Sequence, residues 1–343
     1  FLVADATGHG IGPALIIATP RTQSTLDEAW RPSLAAAGID FHAHAFGGEC
    51  SQPEIDAGVA AARAMGARVI IGAGGGKTLD TARAVAAEIG LPVVNCPTLA
   101  SSDAPCSALS VVYASDGSVE RYQFYPKNPD LVLVDTTLVA RAPRRFLVSG
   151  MGDALATWYE ARTVIEAHGA NQLGGLTTMS AAALAELCCR ILLADGREAA
   201  HGVGTDAVSE GIDRGAAAHT QLSGLGFESG GLAIAHSVHN GLTAVPGTHG
   251  YLHGEKVAFG LLVQLVVEGR SSAEIAEVIG FCRSVGLPAS LADVGLAGAT
   301  DATVRAIADR TVVEGETAHH EPFAVTADMI ADGIHAADAL GRS

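Results

Sequence analysis

Four of the chain's thirteen histidines, His236, His239, His249 and His253, fall between residues 236 and 253. His236 and His239 stand three apart, a spacing that shares one face of a helix. A single helical histidine is usually a core or surface residue, whereas a cluster points to a metal or catalytic site, because neutral imidazole is a common transition-metal ligand. Imidazoles alone hold a dication weakly, so an anionic companion is expected. Asp153 is the candidate, at what reads as the start of the first helix after a domain boundary; taken alone it would be an ordinary helix-start aspartate.

A second stretch with chemistry in it is Gly72-Ala73-Gly74-Gly75-Gly76-Lys77-Thr78, which follows the apolar run Val69-Ile70-Ile71 and leads into a helical pattern. Residues without Cβ let the backbone approach a phosphate, and the free N–H groups and dipole of a helix start favour the anion. Lys77 adds a point charge. A bare tight turn is the plainer alternative, but four glycines in one short run followed by Lys-Thr favour the phosphate loop. The Walker pattern G-x-x-x-x-G-K-[ST] fails, since Ile71 occupies its first position. The G-x-G-x-x-G fingerprint fails too, since Lys77 stands where its last glycine belongs.

The elements that must position these residues fall into two groups. Phe1–Ala4, Ile39–Phe46, Arg68–Ile71, Leu91–Val94 and Leu131–Val134 read as short buried strands, alternating with alanine-rich helical stretches such as Glu54–Met65 and Thr78–Ile89. That alternation predicts a mostly parallel, Rossmann-like sheet. Val111–Tyr125 reads as a hairpin turned at Ser115-Asp116-Gly117. Beyond Pro143 the period is helical throughout: Asp153–His168, Met179–Ala194, Ser209–Leu225, Gly230–Leu242, Gly254–Glu268 and Ala273–Val285. Residues 1–142 are therefore expected to form an α/β dinucleotide-binding domain and residues 143–343 an all-helical metal- and substrate-binding domain. A ligand is expected in the cleft between two such domains.

The 343 residues carry 21 lysines and arginines against 37 acids, a formal charge of −16. That balance argues against nucleic-acid or anionic-membrane partners, both of which require basic patches. The longest apolar run, Val257–Val267, is interrupted by Gly260 and Gln264 and falls well short of the roughly 20 residues that span a bilayer. No basic leader opens the chain. The six cysteines form no C-x-x-C pair and suit free thiols in a reducing compartment, so a cytoplasmic protein is expected.

Several longer segments resemble a known family. Gly74-Gly75-Gly76-Lys77-Thr78-Leu79-Asp80-Thr81-Ala82, the run from Pro97 to Ser107, Gly226-Phe227-Glu228-Ser229-Gly230-Gly231, and His253-Gly254-Glu255-Lys256-Val257-Ala258-Phe259-Gly260 are similar to the zinc-dependent glycerol dehydrogenases of the iron-containing alcohol dehydrogenase superfamily. The resemblance covers nearly the whole chain. It implies a dehydroquinate synthase-like fold, NAD as cofactor, a zinc ion and a homo-oligomer. It also implies zinc ligands at Asp153, His236 and His253, with both histidines at the reacting centre, and a substrate-contacting Asp103. Cofactor contacts fall at Gly74, Gly75, Gly76 and Lys77, then at Thr98, Ser101, Ser107, Leu109 and Tyr113, with Asp5 on the adenosine ribose. His239 and His249 match no ligand position and are expected to line or support the pocket. The family carries a further segment ahead of a strand such as Phe1–Ala4, so the chain is expected to be a fragment or partial product. Iron-using relatives place a histidine four positions after the aspartate; here that position is Thr157, which favours three protein ligands and zinc.

The expected reaction is NAD-dependent oxidation of glycerol, or a similar small vicinal diol, to dihydroxyacetone. Zinc would act as a Lewis acid on the hydroxyl and Asp103 would hydrogen-bond a second one. Rivals of the same fold are a dehydroquinate synthase, a glycerol-1-phosphate dehydrogenase or a dehydrogenase of another alcohol. The phosphate-binding rivals would want basic residues around Asp153 and His236, where none stands. A metal-dependent regulatory module is the rival of another class.

Overall fold

The structure, a computed structural model, describes residues 12–114, 117, 119–205 and 208–343. The chain divides into two compact units, one running up to Leu99 and resuming over Ala104–Leu138, the other formed by Ala100–Asp103 and Val139–Ser343.

The first unit is a parallel sheet with helical crossovers. Its elements are β1 (Ala14–Ala18), α1 (Pro20–Ala36), β2 (Phe41–Ala45), α2 (Gln52–Met65), β3 (Val69–Gly74), α3 (Gly76–Ile89), β4 (Val93–Pro97), β5 (Leu109–Tyr113), β6 (Val119–Phe124) and β7 (Leu131–Val132). Five strands pair in the order β2-β1-β3-β4-β7, every pair parallel. All five residues of β1 are buried, which suits an unbroken Ala-Leu-Ile-Ile-Ala run in the middle of a doubly covered sheet. This strand is absent from the expected set, which opened instead at Phe1–Ala4, outside the described residues. Thr19 caps α1 through its side chain, and Pro20 stands at the first helical position, where its missing N–H costs nothing. Strand order reverses between β1 and β3, and in such sheets ligands bind beyond the carboxyl ends of the strands at the reversal. β5 and β6 form a separate antiparallel pair. The turn expected at Ser115-Asp116-Gly117 lies mostly outside the described residues.

The helical unit follows the short α4 (Thr136–Arg141). It contains α5 (Arg144–Glu166), α6 (Met179–Gly202), α7 (Glu210–Ala217), a π-helical segment (Ala218–Ser223), α8 (Gly224–Gly230), α9 (Ile234–Thr243), α10 (His253–Val267), α11 (Ser272–Val285), α12 (Asp301–Thr311) and α13 (Ala327–Arg342). The helix expected over Ser209–Leu225 is thus three pieces. The one expected over Gly230–Leu242 starts four residues later, because Gly231 takes a φ of 102° that ends α8. Among the described residues no helix is long and apolar enough to cross a membrane. None of the six cysteines is in a disulfide, and burial pushes the thiols of Cys50, Cys96 and Cys282 up to about 12.

Candidate metal and substrate site

Asp153 does not open a helix. It lies in the middle of α5, which starts at Arg144 directly after Pro143, and it is wholly buried. Gly150 and Gly152 make the preceding turn look too weak to be helical in the sequence. Their reason is a close helix crossing. A Cβ on Gly152 would stand 2.3 Å from the Gly254 carbonyl oxygen, and one on Gly254 would stand 1.8 Å from that of Ser149. The backbones of α5 and α10 therefore touch at this point. His253 is the first residue of α10, next to Gly254, so the crossing brings its ring to Asp153.

The two histidine Nε2 atoms face the same oxygen: Asp153 Oδ1 lies 3.1 Å from His253 and 3.4 Å from His236. The three prospective ligand atoms all lie within 4.8 Å of one another. Asp153 Oδ1 is buried and accepts no hydrogen bond from the described residues, whereas Oδ2 accepts from the Asp103 N–H at 3.1 Å. Three electron-pair donors converging on one point, with the buried oxygen among them unsatisfied, fit a divalent cation. Burial alone would raise the Asp153 carboxyl, but His253 and His236 outweigh it and hold it below the usual range. Burial would likewise lower His236, yet Glu160 and Asp153 together raise it well above its ordinary value.

Each histidine is held from behind. His236 Nδ1 lies 2.6 Å from Glu160 Oε2, and Oε1 of the same buried carboxylate accepts the N–H groups of Ala233 at 2.8 Å and His236 at 3.1 Å. His253 Nδ1 lies 2.9 Å from His239 Nε2, and His239 Nδ1 lies 3.1 Å from Asn240 Oδ1. Asn240 Nδ2 donates to Glu316, which pairs with Arg310. His239 thus supports the site, and burial and its cationic neighbours keep it well below its usual pKa. His249 is turned to the Thr243 carbonyl.

Asp103 is buried beside Asp153, and burial, then the charge of Asp153, raises its carboxyl well above the ordinary range. Ser223 Oγ donates to Asp103 at 3.0 Å and stands 2.7 Å from Thr157 Oγ1. Ser223 closes the π-helical segment, a distortion frequent at functional sites. Sequence reasoning singled out neither Ser223 nor Glu160. The signal for Glu160 was present: Asp153, Thr157, Glu160 and Thr163 put a polar stripe at intervals of four, three and three on one face of α5. Nothing local in the sequence marks Ser223.

The glycine loop lies in the sheet unit. β3 ends at Gly74 and α3 begins at Gly76, so one residue joins strand to helix at the carboxyl end beside the strand-order reversal. A Cβ on Gly74 would meet the Thr78 side chain at 2.7 Å, so close strand–helix packing is one reason for glycine there. Lys77 Nζ is 2.7 Å from Glu49 and lies over the Tyr113 ring at 4.5 Å. The Thr98 N–H donates to the Gly74 carbonyl, Ser107 is buried, and Leu109 and Tyr113 bound β5. Ser101 groups instead with the helical unit, its carbonyl accepting from Ser149. Asp5 lies outside the described residues; β1, the first strand that is described, ends at Ala18 and is followed by Thr19, which offers no carboxylate.

Residues 2–136 match the model of the iron-containing alcohol dehydrogenases. A glycerol dehydrogenase of Pseudomonas putida is 48% identical over 96% of this chain and 90% of its own length. The chain belongs to the iron-containing alcohol dehydrogenase family. A glycolaldehyde reductase of Halobacterium salinarum is 47% identical over 96% of the chain and 90% of its own. The solved structure of a probable glycerol dehydrogenase from Sinorhizobium meliloti has a TM-score of 0.91 at 42% identity, covering 97% of this chain and 92% of that one. The family's α/β-plus-helical architecture and its oxidoreductase chemistry are therefore those of this chain.

Proposed function

We propose that the chain oxidises glycerol, or a similar small vicinal diol, to the corresponding hydroxyketone with NAD as acceptor and zinc bound by Asp153, His236 and His253. The observation that carries this is the buried, unsatisfied Asp153 Oδ1 facing the Nε2 atoms of both histidines. The names of the relatives supply the substrate class. A cation there would supply Lewis acidity that lowers the pKa of an alcohol, and NAD would accept the hydride. The protein's own part is to arrange the groups. Asp153 supplies the negative charge that makes two neutral imidazoles a strong cation site. Asp103, which accepts from Ser223, would hydrogen-bond a second hydroxyl of a diol. Gly74, Gly75 and Gly76 offer the start of α3 to the cofactor pyrophosphate, with Lys77 as its counter-charge. Thr98, Ser101, Ser107, Leu109 and Tyr113 are proposed to complete the cofactor site. A preference for NAD over NADP rests on Asp5 alone. Six cysteines outside any disulfide suit the expected cytoplasmic setting.

The test is the appearance of NADH absorbance when the full chain is mixed with NAD, zinc and glycerol. Turnover of glycerol and of propane-1,2-diol, with little on ethanol, is expected; no turnover of any vicinal diol overturns the reading. The similarity to the glycolaldehyde reductase favours a second reading, in which a small hydroxyaldehyde is reduced. Following NADH consumption with glycolaldehyde, and comparing kcat/KM with that for glycerol, separates the two.

A further inference from the structure

We propose that Glu160 is a positioning residue that fixes the tautomer of His236, turning the Nε2 lone pair toward the cation position, and that the same carboxylate starts helix α9. The inference rests on the metal reading of Asp153, His236 and His253.

The argument is one of donors and acceptors. Ala233, at the N-cap of α9, makes no side-chain cap of its own. Glu160 replaces it from another helix: Oε1 accepts both the Ala233 and the His236 N–H groups, which are among the orphan donors of a helix start. That leaves Oε2 for the ring, 2.6 Å from Nδ1. With two backbone donors fixing the carboxylate, Nδ1 must be the ring's N–H, and Nε2 is left with its lone pair directed at Asp153 Oδ1. Among the described residues His253 has no such carboxylate behind it; its Nδ1 is held by the imidazole of His239. The pair of ligand histidines is therefore backed unequally, one by a buried anion and one by a neutral ring. An anionic partner raises ligand basicity and fixes ring orientation, and losing such a partner typically weakens metal binding 10–100-fold.

Glu160→Gln has nearly the same shape but cannot do both jobs. Glutamine has one acceptor oxygen. If that oxygen meets the two backbone N–H groups, the amide NH₂ faces Nδ1 and forces the Nε2–H tautomer, which cannot ligate. If the oxygen meets Nδ1–H, the NH₂ faces two N–H donors.

The test uses the full chain stripped of metal and titrated with zinc against a chromophoric chelator, together with ¹⁵N signals of the histidine rings. In the zinc-loaded wild type, Nδ1 of His236 is expected to be protonated and Nε2 ligated. Glu160→Gln is expected to bind zinc about 10–100-fold more weakly. Equal zinc affinity in a folded Glu160→Gln chain overturns the inference while leaving the metal reading standing. A lower melting temperature with unchanged zinc affinity also overturns it, because a purely structural cap would do that. If the variant does not fold, the wild-type ring signals decide alone: ligation through Nδ1 overturns it. A wild-type chain that binds no zinc overturns both readings.

Discussion

Glu321 illustrates how a single residue can work against the fold that contains it. It is 6% exposed, and burial, then the charges of Glu268 and Glu160, pushes its carboxyl up to about 8 from an ordinary 4.5. An acid whose folded pKa lies above its unfolded value binds its proton more tightly in the folded chain, so stability falls as pH rises from about 4.5 to about 8. Glu321→Gln removes that dependence. Above pH 8 the variant is expected to be more stable by on the order of a few kcal/mol, a rise of several degrees in Tm. Below pH 4.5 the two are expected to melt together, and calorimetry across that range checks it. Curves that run parallel at every pH would mean that Glu321 is as ionised as a surface glutamate. At this scale the sequence was informative where rare residue types stand in a fixed pattern, as for Asp153, His236 and His253, whose prospective ligand atoms lie within 4.8 Å of one another. It was silent on Ser223 and Glu321, whose roles come from burial and from neighbours distant in the chain.

Helices meet at the site through glycine, and this is where the element scale matters. His253 reaches Asp153 because α10 and α5 approach to backbone contact at Gly254 and Gly152. Gly254→Ala would place a methyl carbon 1.8 Å from the Ser149 carbonyl oxygen, against backbone that has no flexible end to yield. Overpacking of this kind typically costs about 1–3 kcal/mol or more. The helices must part, and His253 moves from Asp153 with them. The variant is expected to melt several degrees lower and to bind zinc more weakly; a Gly280→Ala control, where a Cβ meets nothing within 4 Å, is expected to do neither. Unchanged melting in Gly254→Ala would show that the crossing is looser than described. Gly152, with Gly150 before it, also explains why the sequence placed the start of α5 too late, since a pair of glycines inside a helix reads as its beginning. The strand Ala14–Ala18 was missed for another reason: a five-residue apolar run cannot be told from a stretch of buried helix by period alone.

Taken whole, the chain's class was legible because strands alternate with helices before residue 143 and stop thereafter. Strand order was not, since the reversal between β1 and β3 depends on which neighbours pair and leaves no local mark. On the proposed reading the cation is held by Asp153, His236 and His253, with Glu160 and His239 behind the two rings. Treatment with a strong chelator is accordingly expected to abolish diol-dependent NADH formation, and zinc to restore it, with circular dichroism little changed. Full turnover in a chain shown by elemental analysis to hold no metal would contradict the mechanism.

The line from His253 through His239, Asn240 and Glu316 to Arg310 has a consequence for anyone redesigning the surface. Arg310 and Glu316 look like an expendable salt bridge, of a kind whose loss often changes stability by less than a kcal/mol. Yet Glu316 accepts from Asn240 Nδ2, so Asn240 must show its oxygen to His239, which must then show its lone pair to His253. A charge swap at the rim could pass every stability screen and still reverse the direction in which the buried ring points its lone pair.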